Sequence, residues 1–107
     1  MRKNLWEETI EVLKDHSLTW DDVDEVILEG DNVTISKENF EEVARKTYYD
    51  NGYGAAEIRT DLIIAGWNWW LERGEYDGSE WWELKTKPFI PNEYATVTKL
   101  TTNDWEE

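Results

Sequence analysis

The sequence predicts an α+β domain: a small antiparallel sheet of two hairpins, with two amphipathic helices packed on one of its faces. Three observations carry that reading. Apolar residues recur at helical spacing in two segments, 4–16 and 37–50. Runs of β-branched and aromatic residues flank turn-forming clusters at Glu29–Asn32 and Asp77-Gly78. A chain of 107 residues holds one core and leaves no space for separate catalytic and cofactor domains. The compact domain is expected over residues 1–100, with a polar tail at 101–107.

Leu5, Trp6, Thr9, Ile10, Val12, Leu13 and His16 form one stripe, with Glu7, Glu8, Glu11 and Lys14 opposite, which gives a helix over 4–16. Thr19-Trp20-Asp21-Asp22 has the form of a capping box and predicts one helical turn at 19–23. Val26-Ile27-Leu28 and Val33-Thr34-Ile35 become a hairpin of strands 25–29 and 32–36. Ser36 caps a second helix, 37–50, whose stripe is Phe40, Val43, Ala44, Thr47 and Tyr48, and Gly52 and Gly54 close it.

A long strand then runs from Leu62 to about Glu72, and Trp81 to Lys85 is its partner across the Asp77-Gly78 turn. In that register Leu71 faces Leu84, and Arg73 faces Trp82 in a cation–π pair worth ~0.5–1 kcal/mol if exposed. Glu72 then opposes Glu83 and Glu75 opposes Glu80, which is unfavourable. Either the register is bulged, or the repulsion is tolerated for a basic partner. Pro88 and Pro91 stop the hairpin, and Tyr94–Thr98 is a candidate fifth, edge strand.

Composition bounds the function. Hydrophobic residues make up 39% of the chain and include 8 Trp, 5 Tyr and 2 Phe, so rings replace the scarce aliphatics. The 25 acids against 11 bases leave a net charge of −14, yet disordered acidic chains are poor in aromatics, and a folded domain is expected. No cysteine is present, which removes disulfides, thiolate zinc sites and a cysteine nucleophile. No run approaches the ~20 apolar residues of a membrane span, and the expected home is a bacterial cytoplasm. A pI of about 4.3 argues against direct contact with nucleic acid or an anionic membrane, and favours a basic protein partner.

Signals for catalysis are missing. His16 is the sole histidine and lies near the apolar stripe of the first helix, as a packing or capping residue. No hydrolytic triad suggests itself, and Gly52-Tyr53-Gly54 is too short for a phosphate loop. Carboxylate pairs such as Asp22/Asp24, Asp21/Glu25 and Asp77/Glu80 arise readily by chance among 25 acids, and no segment has EF-hand spacing. We therefore expect no enzyme, no cofactor and no metal.

The acids nevertheless cluster: Asp21, Asp22, Asp24, Glu25, Glu29 and Asp31 around the first hairpin, and Glu72, Glu75, Asp77, Glu80 and Glu83 in the second. Two acidic hairpins could form one surface. The net charge lies well beyond the ~2–8 that serves solubility. Fourteen charges match roughly 24 Å of duplex DNA at ~1.7 Å per charge, against an expected radius of gyration near ~13 Å. Neighbouring tryptophans on a strand point to opposite faces, so Trp69/Trp70 and Trp81/Trp82 cannot all enter one core. Trp70 and Trp81 are the candidates for a contact surface.

The blocks YYDNGYGAAEI (48–58) and DLIIAGWNWWLERGEYDGSEWWELKTKP (61–88) resemble a family of small acidic proteins encoded by phages and prophages of Gram-positive bacteria. The resemblance covers roughly residues 23–88. Its Tyr-Asp-Gly-Ser-Glu-Trp-Trp turn stands here as Tyr76–Trp82, while its Gly-acidic-x-Trp-Trp-Leu-Glu-Arg segment departs, with Trp67 in the acidic position after Gly66. The resemblance implies phage origin and a shared fold, and transfers no activity to any residue. By class, small acidic phage proteins look like inhibitors of host defence, anti-CRISPR proteins among them. The expected function is a phage-encoded acidic inhibitor that mimics nucleic acid. It would bind the basic surface of a host nucleic-acid-handling protein, a CRISPR effector nuclease being one such target, and act as a monomer or homodimer. The alternative is a phage structural or interaction module that associates through an exposed Trp-rich hairpin.

Overall fold

The computed structural model describes residues 2–50, 52 and 54–102. Its elements are β1 (Arg2–Asn4), α1 (Leu5–Asp15), β2 (Glu25–Leu28), β3 (Val33–Ile35), α2 (Lys37–Ala44), β4 (Tyr48–Asp50), β5 (Leu62–Ala65), β6 (Trp69–Tyr76) and β7 (Ser79–Thr86), with short 3-10 turns at Trp20–Asp22 and Glu29–Asp31. Five strands form an antiparallel sheet in the order β3-β2-β5-β6-β7, and β1 and β4 form a separate two-stranded ladder. The fold class is the α+β arrangement that the sequence predicts.

Cross-strand partners share a face, and one row, Val26–Ile64–Leu71–Leu84, runs through four strands on the core side. Both helices cover this side, α1 through Leu5, Thr9 and Leu13, and α2 through Phe40 and Ala44. Each helix starts where a side chain satisfies an orphan amide. Asn4 Oδ1 accepts from the Glu7 N–H at 2.9 Å, and Ser36 Oγ from the Asn39 N–H at 2.9 Å. Between the helices, the Asp22 carboxylate accepts the Thr19 N–H at 2.8 Å. This turn seats Trp20 edge-on against Trp6 and stacked on Phe40, a ring cluster that stands in for aliphatic core.

The Asp77-Gly78 turn has φ of 52° and 87° at its two residues, the left-handed pair that matches the twist of a tight hairpin. The register is the unbulged one that this turn dictates: Leu71 opposite Leu84, Glu72 opposite Glu83, Arg73 opposite Trp82 and Glu75 opposite Glu80.

Three elements differ from expectation. The second helix ends at Ala44 rather than at residue 50, and Tyr48–Asp50 pairs with Arg2–Asn4 as β4. Tyr49 lies off the helical stripe, so a continued helix would carry it outward. Strand alternation instead buries it to 2% exposure and turns Tyr48 out. The long strand over 62–72 is two strands, because the chain reverses at Gly66–Asn68, where the Gly66 N–H donates to the Trp69 carbonyl at 2.9 Å. A Cβ at residue 66 would lie 2.2 Å from the Trp69 ring, so only glycine admits that indole. The candidate strand at Tyr94–Thr98 does not form. Residues 87–102 make no helix or strand and are exposed, and the two prolines remove ladder donors at its start. This arm extends the molecule to 55 × 32 × 29 Å and raises the radius of gyration to 18.0 Å. Within the predicted tail, residues 103–107 lie outside the described residues.

Candidate functional site

Alternation along β6 and β7 sends Trp69 and Trp82 into the core and Trp70 and Trp81 to the opposite face of the sheet. That face carries two cross-strand rows, Ile27–Ile63–Glu72–Glu83 and Glu25–Ala65–Trp70–Lys85, with Trp81 beside them across from Gly74. Both helices lie on the other side. The apolar members are half-buried and border a shallow groove of about 500 Å³, with Trp67 and Glu29 also on its rim.

Local chemistry fixes the rings and the carboxylates together. Trp70 Nε1 donates to Glu72 Oε1 at 2.8 Å, and Trp81 Nε1 donates to Glu83 Oε2 at 3.0 Å. Lys85 Nζ stands 3.7 Å from Glu83 Oε1. Gly74 makes room: a Cβ there would sit 2.6 Å from Trp81 Nε1 and 2.8 Å from Glu83 Oε2. The like-charged Glu72/Glu83 pair is thus held open by two indole donors, without a bulge.

Of the residues singled out from sequence, Glu25, Glu29, Glu72, Glu83, Trp70 and Trp81 come together on or beside this face. The others do not. Asp21 and Asp22 belong to the 3-10 turn beside Trp20, and Asp24 precedes β2. Asp31 is ion-paired with Arg59 at 3.0 Å, Asp77 is in the hairpin turn, and Glu75 stands exposed on the core-side row beyond the helices. Glu80 requires a correction: it is 1% exposed and offers nothing to a partner.

Glu80 belongs instead to an ion cluster behind the face. Its carboxylate accepts the Glu57 and Ile58 N–H groups at 2.8 and 3.2 Å, and Arg73 Nη2 at 3.1 Å. The Arg73 side chain is 1% exposed. It also reaches Glu8 at 3.5 Å and the Tyr49 hydroxyl at 3.2 Å, and lies 4.8 Å over the Trp82 ring. Tyr49 donates to Glu8 Oε1 at 2.5 Å, and burial, reinforced by that carboxylate, pushes its phenol up to about 12. Trp82 Nε1 donates to Thr9 Oγ1 at 3.0 Å. These contacts bind the hairpin to α1, β4 and the segment at 57–58. They face inward, toward structure rather than substrate. Sequence reasoning pairs Arg73 with Trp82 but misses Glu8 and Tyr49. The inward parity of Arg73 with Leu71 is the signal that could have found them.

A second, exposed cluster pins the other end of the sheet. Arg59 Nε and Nη2 hold Asp61 at 2.8 and 2.7 Å, and the Gly30 N–H donates to the same carboxylate at 2.8 Å. The guanidinium, then the backbone donor, hold the Asp61 carboxyl down to about 2, while the two aspartates raise the Arg59 pKa. His16 is exposed at the end of α1, where its N–H closes the last turn. Among the described residues no three His, Cys, Asp or Glu side chains converge as a metal site, and no helix is long and apolar enough to cross a membrane. No family model, curated protein or solved structure matches the chain.

Proposed function

We propose that this protein is a phage-encoded acidic inhibitor that binds the basic surface of a host nucleic-acid-handling protein, a CRISPR effector nuclease being the type of target in view. The contact is the open face of the five-stranded sheet. One observation carries the reading: Trp70 and Trp81 lie on the face opposite the helices, hydrogen-bonded to Glu72 and Glu83 and accompanied by Glu25 and Glu29. Aromatic anchors give a protein interface its binding energy, and surrounding carboxylates select an arginine- or lysine-rich partner and speed the encounter. A guanidinium arriving there meets a π face and a carboxylate at once. Single-strand binding by the rings themselves lacks support, because such binders line their grooves with positive charge.

The test is affinity capture from a bacterial lysate at low and high salt, with mass spectrometry of the retained proteins and competition by added nucleic acid. A retained nucleic-acid-binding protein, released by salt and by the competitor, is the expected result. Glu72→Lys/Glu83→Lys should fold normally and lose it. Retention indifferent to salt, or unchanged by that double reversal, would overturn the reading.

A further inference from the structure

We infer that the outer edge of β7 pairs with the same edge of a second copy of this chain, in a two-fold dimer that joins the two five-stranded sheets into one. The strand order leaves two edges, β3 and β7. β3 is three residues long, whereas β7 has eight, with no bulge and no proline inside it. Proteins usually blunt edges of that length, because their open backbone groups template another strand. Tyr76 and Ser79 flank the two-residue turn as a hydrogen-bonded pair, so residues 79, 81, 83 and 85 direct their backbone groups at β6. The Lys87 N–H continues that set, donating to the Asn68 carbonyl at 3.0 Å. Trp82, Leu84 and Thr86 therefore turn their backbone groups outward, where no further strand lies among the described residues. The chain beyond β7 turns away from this stretch, with Pro88, Phe89 and Ile90 beside Trp67 and Asn68 at the β5–β6 reversal.

Side chains choose the occupant and the register. The segment Trp81-Trp82-Glu83-Leu84-Lys85-Thr86-Lys87 is complementary to itself when two copies run antiparallel about Leu84. Glu83 then opposes Lys85 of the second copy and Lys85 opposes its Glu83, while Trp81 faces its Lys87 as a cation–π pair. Moving the axis by one residue sets Glu83 or Lys85 against its own counterpart. In the Leu84 register the outward backbone groups also match, Trp82 with Thr86 and Leu84 with Leu84, so these pairs exchange main-chain hydrogen bonds. Pro88 has no N–H to give, and the ladder ends there. The pairing completes what one copy leaves open. Leu84 ends the core-side row and is half-buried, and its counterpart carries that row across the axis. On the other face, each Glu72/Glu83 pair gains a lysine from outside its own chain. The contact is isologous, each copy giving and receiving the same edge. It uses the edge of the sheet and leaves both open faces exposed, so it does not rest on the host-partner reading.

The experiment is sedimentation equilibrium of the full chain at hundreds of micromolar, with circular dichroism as a folding control. Each copy carries a net charge of −14, so about 0.15 M salt is used, where a Debye length of ~8 Å screens the repulsion between whole molecules more than the contact pairs. The expected mass is twice 12.8 kDa. Glu83→Lys alone and Lys85→Glu alone each turn two attractive pairs into repulsive ones, and each should weaken self-association by at least ~10-fold. Mixed in equal amounts, the two variants should dimerise again, because positions 83 and 85 are then both lysine in one chain and both glutamate in the other. Thr86→Pro removes an outward N–H while leaving every bond to β6 in place, and should weaken the dimer without unfolding the hairpin. A monomeric wild-type chain overturns the inference and leaves the edge to a strand of another protein. A dimer unmoved by Thr86→Pro overturns the edge as its seat, and one unmoved by either charge reversal, or not recovered on mixing, overturns the register. None of these readouts contains a host protein, so their failure is separate from a failure of lysate capture.

Discussion

Replacing Arg73 with methionine tests the account of the buried cluster most directly. The side chain is 1% exposed, pairs with Glu80 at 3.1 Å and Glu8 at 3.5 Å, and stacks over Trp82 at 4.8 Å. Methionine retains much of the stem's apolar contact and removes the charge, so the Glu80 carboxylate keeps its backbone donors but loses its guanidinium. Removing one member of a buried pair costs about 3–5 kcal/mol, and the lost cation–π contact lies within that figure. Against a typical total stability of ~5–15 kcal/mol, and at ~4–8 °C per kcal/mol for a domain of this size, Tm should fall by roughly 10–40 °C. The companion Arg73→Met/Glu80→Gln neutralises the stranded carboxylate while keeping an acceptor for the amides, and should recover about 1–2 kcal/mol of that loss. Urea titration followed by tryptophan fluorescence measures both, with the slope as the check on two-state behaviour. Arg73→Met within about 1 kcal/mol of wild type, or a double variant no more stable than the single, would refute the reasoning.

The remaining predictions concern titration and packing. Tyr49 has a folded-state pKa raised from 10.0 to about 12, so its contribution is complete below pH 10 and lost as pH rises through about 12; Tyr49→Phe should remove that last step from the tyrosinate absorbance titration. The Asp61 carboxyl is lowered from 3.8 to about 2, so it stabilises the fold above pH 3.8 and ceases to as pH falls toward 2. Asp61→Asn should flatten that part of the acid limb in thermal melts. Gly66→Ala places a Cβ 2.2 Å from the Trp69 ring and should cost about 1–3 kcal/mol by urea titration.

Where a short-range rule acts alone, the fold is legible in the sequence. Asp77-Gly78 permits the left-handed pair of a two-residue turn, and that turn sets every pairing between β6 and β7. Alternation then separates Trp70 and Trp81 from Trp69 and Trp82, so the candidate face is readable before any coordinates. Most of what is not readable depends on contacts distant in sequence. Tyr48–Asp50 continues a helical stripe on paper, yet β1, 44 or more residues earlier, offers it a ladder and Glu8 offers Tyr49 a carboxylate. Leu62 to Glu72 reads as one β-rich run although the contact that breaks it is local, the Trp69 ring folding back over Gly66 three residues earlier, because no turn dipeptide marks the reversal. Glu80 resembles every other acid of its hairpin until Arg73, Glu57 and Ile58 close around it.

The like-charged pairs in the second hairpin are resolved in two different ways, and the difference bears on function. At Glu75/Glu80 one member leaves the surface, and the buried Arg73 answers its charge. At Glu72/Glu83 neither does. Two exposed carboxylates in water repel by only about 1 kcal/mol even at ~4 Å, while a hydrogen bond to a charged group returns about 1.5–3 kcal/mol. The indoles of Trp70 and Trp81 supply one each. Held this way, the carboxylates and rings have already lost the rotamer freedom that an interface would otherwise remove, ~0.5–1.5 kcal/mol for each immobilised side chain. The same two hydrogen bonds stabilise the hairpin whether or not a partner is bound. Half-buried carboxylates and rings ordered together in this way suit the contact proposed for this face.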